Sequence, residues 1–132
     1  MLRCTPSLWP TKGWVSSGFG TRISPFTNQK EFHQGIDICT RKGTAVIAPA
    51  DGMVSGAGTN YGYGKILTVE HGYGLKTRYA HLDTILVKKG EYVQRGQEIA
   101  RVGNTGRTTG PHLHYEIHLK DVPVDPKRYI VN

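Results

Sequence analysis

The sequence predicts a single, mainly β domain. A chain of 132 residues is long enough to bury a core of its own. Its 17 glycines far exceed average usage, which indicates many tight turns between short strands. We treat residues 1–132 as one unit, with an irregular lead at 1–31 and a core at 32–126.

The lead has at most one short predicted strand, because Trp9-Pro10 and residues 13–20 mix aromatic side chains with turn formers. From Gly43 the pattern is that of a β meander, with strands predicted at 44–49, 52–56, 65–71 and 75–81 and a tail at 87–103. The glycine-rich stretch 57–64 and the polar stretch 104–110 are predicted to be mobile loops that line a groove.

The net charge of +7 favours anionic surroundings, such as nucleic acid, anionic lipid or an anionic cell-wall polymer. No basic run with interleaved aromatics is present, so we expect no nucleic-acid partner. No segment approaches the roughly 18–20 apolar residues of a membrane span, and the first residues do not form a signal peptide. If the protein works outside the cytoplasm, we expect this chain to be a piece of a longer precursor.

The segment 110–118 contains metal-binding side chains at the period of a strand. Residues two apart on a strand point to the same face. One predicted face therefore carries His112, His114, Glu116 and His118. The other carries Leu113, Tyr115 and Ile117. The alternative for the pair His112 and His114 is two surface histidines on a half-exposed strand.

Far upstream, His33 and Asp37 flank Gly35, where we expect the backbone to turn. These two side chains together with one imidazole of the 110–118 strand would complete the three-ligand shell of a catalytic zinc, with the fourth position left to water. Cys39 is a rival ligand, although we prefer a small buried thiol. Cys39 and Cys4 could form a disulfide or stay free, since the sequence does not place them within bonding distance.

His81 is predicted to end a strand at the edge of a loop, where a side chain can face a cleft. The alternative is a solvated turn histidine.

Four segments of the sequence resemble the signatures of the LytM and lysostaphin-type zinc metallopeptidases, which cleave peptidoglycan peptides. The segments are 33–37, 79–82, 103–106 and 110–116, in the order of the family. The resemblance runs from about residue 9 to about residue 126 and implies an antiparallel β-sheet domain with a groove formed by loops.

Carried over residue by residue, the resemblance makes His33, Asp37 and His114 the ligands of one zinc ion per chain. It makes His81 and His112 catalytic histidines that do not bind the metal. Some relatives place a tyrosine shortly before the first metal histidine, whereas this sequence has phenylalanines in that stretch. A tyrosine from that position is therefore not expected.

The resemblance implies a monomeric zinc endopeptidase that acts on stem or crosslink peptides of peptidoglycan. The place of work would be the periplasm, the cell envelope or the exterior. A non-catalytic wall-binding or regulatory module of the same fold is the alternative. A carrier domain with a modifiable lysine at Lys88-Lys89 is a third class, but it leaves the histidines unexplained.

Overall fold

The computed structural model describes residues 4–131 and consists mainly of strands. In chain order these are β1 (Trp14–Ser17), β2 (Gly20–Ile23), β3 (Lys30–His33), β4 (Ile36–Cys39), β5 (Ala45–Ile47), β6 (Gly52–Asn60), β7 (Gly64–Gly72), β8 (Leu75–Ile85), β9 (Tyr92–Val93), β10 (Glu98–Val102), β11 (His112–Leu119) and β12 (Val122–Val124). A turn of 3-10 helix follows at Pro126–Arg128. Across residues 4–131, no helix is long and apolar enough to cross a membrane. The predicted mainly β class is confirmed.

The described strand pairs are antiparallel. The main sheet follows the order β1-β4-β11-β8-β7-β6-β9, with β10 paired to both β5 and β8, and β12 paired to β11. Strands β2 and β3 form a separate two-stranded sheet. Strand β11 therefore lies between β4 and β8, in the interior of the main sheet. This placement brings three distant parts of the chain side by side.

Strand β11 has the two faces that its sequence predicts. Leu113, Tyr115 and Ile117 are fully buried in the hydrophobic core, where the Tyr115 ring lies 5.5 Å from that of Tyr79. A buried aliphatic side chain contributes about 1.5–3 kcal/mol through the apolar surface removed from water. The histidines and Glu116 occupy the opposite face, and this core holds them in a fixed register.

The lead is more regular than predicted, since residues 14–17 and 20–23 form β1 and β2 and residue 30 begins β3. The prediction of at most one short strand there was wrong, because β1 pairs with β4 and β2 with β3, and both pairings supply backbone hydrogen bonds that no local pattern reveals. The flexible loop predicted at 57–64 was also wrong in part. Strand β6 continues to Asn60, which pairs with Gly64 of β7, so only residues 61–63 form the turn.

His81 does not end a strand. Strand β8 continues through it to Ile85, and the pairing with β7 shifts between Leu67↔Tyr79 and Lys65↔Leu82. His81 adopts a φ of 62°, which is uncommon for a residue other than glycine. A bulge of this kind redirects a side chain relative to the regular strand. The histidine therefore owes its direction to an irregularity inside β8.

Candidate metal centre

Three neighbouring strands of the main sheet, β4, β11 and β8, and the end of β3 bring the predicted site residues together. His33 ends β3, and Asp37 lies in β4 opposite His114 of β11. On its other side, His114 pairs with Ala80, the residue before His81 in the β8 bulge. Gly35 permits this approach, because a Cβ at that position would lie 2.2 Å from the Tyr115 carbonyl oxygen. Close contact between β4 and β11, rather than a positive φ, explains this glycine.

His33, Asp37 and His114 form a compact, mostly buried cluster whose ligand atoms lie within 4.8 Å of one another. His33 Nε2 lies 3.3 Å from His114 Nδ1 and 3.3 Å from Asp37 Oδ1, and His114 Nδ1 lies 2.9 Å from Asp37 Oδ1. Two ligands at about 2.0–2.1 Å from a tetrahedral zinc are roughly 3.3–3.4 Å apart. The donor types fit zinc and two of the three separations match this spacing, whereas His114 Nδ1 and Asp37 Oδ1, 2.9 Å apart, would have to separate slightly.

Cys39 does not belong to this cluster, although it was a rival ligand by sequence. It is a partly buried free thiol, and so is Cys4. The two cysteines are therefore not joined in a disulfide, and the oxygen and nitrogen donors alone make up the cluster.

Burial and hydrogen bonds shift the pKa values of Asp37 and His114 in this cluster. Burial opposes the charge on Asp37, but hydrogen bonds from His114 and His33 outweigh it and hold the pKa of this carboxyl well below its usual range. Burial also disfavours a charged His114, yet its hydrogen bonds with Asp37 and Glu116 raise the pKa of this imidazole to about 9. Because a metal ligand must be deprotonated, a cation bound at His114 would displace a proton.

His81 and His112 flank the cluster, with their ring centroids 4.8 Å apart. His81 Nδ1 donates to the Thr105 carbonyl at 2.7 Å, and His112 Nδ1 donates to the Gly110 carbonyl at 2.8 Å. In a neutral imidazole this leaves Nε2 as the proton acceptor. Burial lowers the pKa of His81, which favours the neutral form at neutral pH. Both side chains can therefore take up a proton beside the cluster.

The cluster opens into a groove of about 430 Å³. One wall is the β6–β7 turn at 61–63 together with residues 107–109 of the polar loop, so both predicted loop regions contribute to it. Phe26, in the segment between β2 and β3, and Phe32 of β3 also line the groove, and the sequence did not assign either of them to a site. Arg107 lies 4.2 Å from the Phe26 ring centroid. A peptide in this groove would pass over the histidines.

Two charged residues, Arg22 and Glu116, form hydrogen bonds with the cluster. The sequence had not predicted a role for either of them. Arg22 Nη1 donates to Asp37 Oδ2 at 3.0 Å, while Asp37 Oδ1 faces the histidines. Glu116 Oε2 accepts from His114 Nε2 at 2.7 Å. Glu116 could have been found by its position on the histidine face of β11. Arg22 gave no such signal, because only the pairing of β2 with β3 brings it to the site.

A family model described as peptidase family M23 matches residues 31–126. The chain belongs to this family. The resemblance seen in the four sequence segments is thereby confirmed, and those segments lie within the matched range. Zinc peptidases are part of this family, so a His, Asp and His cluster in this groove agrees with the family's chemistry.

The similar proteins include hydrolases and an activator. The chain is 46% identical over 112 residues to the peptidoglycan DD-endopeptidase ShyB of Vibrio cholerae, covering 84% of this chain and 26% of that protein. It is 42% identical over 123 residues to the murein hydrolase activator NlpD of Escherichia coli, covering 92% of this chain and 30% of that protein. The chain thus spans about a quarter to a third of the length of these curated relatives.

Two solved structures share the fold. A zinc-containing peptidase from Vibrio cholerae superposes with a TM-score of 0.86 at 42% identity, covering 92% of this chain and 39% of that one. The catalytic domain of lysostaphin from Staphylococcus simulans superposes with a TM-score of 0.80 at 30% identity, covering 90% of this chain and 91% of that one. The lysostaphin-type fold predicted from the sequence is confirmed.

Proposed function

We propose that this chain is a zinc metalloendopeptidase that hydrolyses peptide bonds in the stem or crosslink peptides of peptidoglycan. The observation that carries this proposal is the complete cluster of His33, Asp37 and His114, with two further histidines beside it in one groove. The relatives named as peptidoglycan endopeptidases support the substrate class. The net charge of +7 suits an anionic wall.

In this proposal His33, Asp37 and His114 would hold one zinc ion per chain, through Nε2, Oδ1 and Nδ1 respectively. A zinc ion in such a site lowers the pKa of its water to about 7 and polarises the scissile carbonyl. The chain itself supplies the groove, which would align an extended peptide across these residues. Arg22 orients Asp37 through its hydrogen bond to Oδ2.

His81 and His112 move the proton and stabilise charge. One of them accepts at Nε2 the proton of the attacking water and returns it to the amine that leaves. The other, when it is protonated, would donate from Nε2 and stabilise the negative charge of the tetrahedral intermediate. Their Nδ1 atoms are tied to main-chain carbonyls, so the reactive nitrogens are set before substrate arrives.

We further propose that the protein acts as a monomer in the periplasm, the cell envelope or outside the cell. The names of its relatives refer to peptidoglycan and murein, the material of the bacterial wall. A non-catalytic regulatory role is the second candidate, because one relative is named as an activator of murein hydrolases. The intact cluster favours turnover, since a purely regulatory module has no need of metal ligands.

The two candidates separate in one experiment. The purified chain is incubated with defined crosslinked peptidoglycan fragments, with and without a chelator, and the products are identified by mass spectrometry. A hydrolase cleaves peptide bonds, and the chelator stops it. Intact fragments in the presence of the folded, zinc-loaded chain would favour the regulatory role.

A further inference from the structure

Glu116 is a fully buried carboxylate on the histidine face of β11. Its oxygen Oε2 accepts from His114 Nε2 at 2.7 Å and from the Tyr63 hydroxyl at 2.8 Å. Oxygen Oε1 accepts from His118 Nε2 at 2.7 Å, and Arg78 Nη1 lies 4.0 Å away. A buried charge is stabilised only when it is paired and hydrogen-bonded. These contacts meet that requirement, so the carboxylate is held in one place.

His114 differs from the other histidines of the site in how its ring is held. The rings of His33, His81 and His112 each donate from Nδ1 to a main-chain carbonyl oxygen, those of Gly18, Thr105 and Gly110. His114 instead has Nε2 2.7 Å from the Glu116 carboxylate and Nδ1 2.9 Å from the Asp37 carboxylate. Its ring is therefore turned the other way, with Nδ1 towards His33 and Asp37. A ring nitrogen can bind a cation only when it carries no proton.

We infer that Glu116 is a positioning residue that fixes the Nε2–H tautomer of His114 and thereby directs a basic Nδ1 to the metal position. The inference rests on the metal centre proposed above and adds an outer partner to it. A carboxylate acceptor raises the basicity of a ligating imidazole more than a carbonyl does, because the acceptor carries a full charge. Loss of such a partner typically weakens metal binding about 10- to 100-fold.

Tyr63 extends this arrangement to the wall of the groove. It lies in the turn between β6 and β7, and burial together with the neighbouring Glu116 raises the pKa of its hydroxyl, which stays protonated and donates. The Tyr63 ring also lies 5.5 Å from the His114 ring. Tyr63 and His118 therefore hold the carboxylate from two sides, and Glu116 cannot turn away from His114 without losing both.

The test compares zinc affinity in Glu116→Gln and in a control variant, Tyr79→Phe. Glutamine keeps the shape and a carbonyl acceptor but removes the charge. Tyr79→Phe also removes a buried polar group from the neighbouring strand, but on the core face, where its hydroxyl contacts Thr77. Zinc dissociation constants are measured by competition with a chromophoric chelator, and folding is followed by circular dichroism. We expect about 10- to 100-fold weaker binding in Glu116→Gln and unchanged binding in Tyr79→Phe.

A second measurement needs no variant. In the zinc-loaded parent chain, nitrogen-15 NMR of the imidazoles reports which nitrogen of each ring carries the proton. We expect Nε2–H for His114 and Nδ1–H for His33. If Glu116→Gln does not fold, this measurement still shows whether His114 is the Nε2–H tautomer.

Three results would overturn the inference: a proton on Nδ1 of His114, a folded Glu116→Gln that binds zinc as tightly as the parent, or an equal loss of affinity in Tyr79→Phe. A parent chain that binds no zinc would instead overturn the proposed metal centre. The two failures are therefore distinguishable.

Discussion

Replacing Gly35 by alanine tests the close contact on which the site depends. The added Cβ would lie 2.2 Å from the Tyr115 carbonyl oxygen and 2.9 Å from Glu116 Cγ, whereas ordinary contact begins at 3.4 Å. Strands β4 and β11 would therefore have to separate by about 1.2 Å, the difference between 3.4 and 2.2. Overpacking of this kind costs about 1–3 kcal/mol. Because Asp37 and His114 are direct partners across these strands, their ligand atoms would separate as well.

We expect Gly35→Ala to lower the melting temperature by roughly 4–12 °C, at about 4 °C per kcal/mol, and to weaken zinc binding about tenfold or more. Gly56→Ala is the matched control, because its Cβ would meet only Thr68 Cβ, at 4.0 Å, and its φ is not positive. Calorimetry and zinc competition on both variants give the comparison. If Gly35→Ala melts and binds zinc as Gly56→Ala does, the strand contact does not control the site.

Three further predictions concern the catalytic histidines, a buried histidine and the polar loop. His114→Ala should lose zinc and activity together, whereas His112→Ala and His81→Ala should keep zinc and lose roughly 100-fold or more in rate. Metal content and turnover measured on all three variants check this. Zinc loss in His112→Ala but not in His114→Ala would reverse the assignment. Burial lowers the pKa of His71, so the folded state resists protonation of that ring while the unfolded chain accepts it. The parent should therefore lose stability as the pH falls below about 6.5, and His71→Gln should lose less in urea unfolding across that range; equal slopes would contradict this. Exchange of residues 104–110 for the loop of a relative with another peptide preference should change the bonds cleaved, and an unchanged product pattern in an active chimera would show that the loop does not select substrate.

Periodicity predicted the part of the molecule that depends on local pattern. The alternation in β11 identified both its core face and its histidine face, because a one-residue slip would expose Leu113 and its apolar partners. Residue types predicted that His33, Asp37 and one imidazole of the 110–118 strand could bind a metal together, and the resemblance to the zinc metallopeptidases identified that imidazole as His114. Those predictions needed no knowledge of which strands pair.

What the sequence did not predict depends on pairing between distant strands. Arg22 reaches Asp37 only because β2 pairs with β3. The direction of the His81 side chain depends on the shift in pairing between β8 and β7. The glycines of β6 remain in a strand because β6 is hydrogen-bonded to β7. Local propensity contains none of this information, and in these places long-range hydrogen bonding overrides it.

The most direct test of zinc-dependent hydrolysis at this centre is a titration of metal-free protein with zinc, with peptide cleavage followed at each addition. We expect cleavage of crosslinked peptidoglycan fragments to be absent at the start and to rise linearly. It should level off at about one equivalent of zinc per chain, as expected for a three-ligand site with an open position. Full activity in the metal-free chain, or no activity after one tightly bound equivalent, would contradict the account.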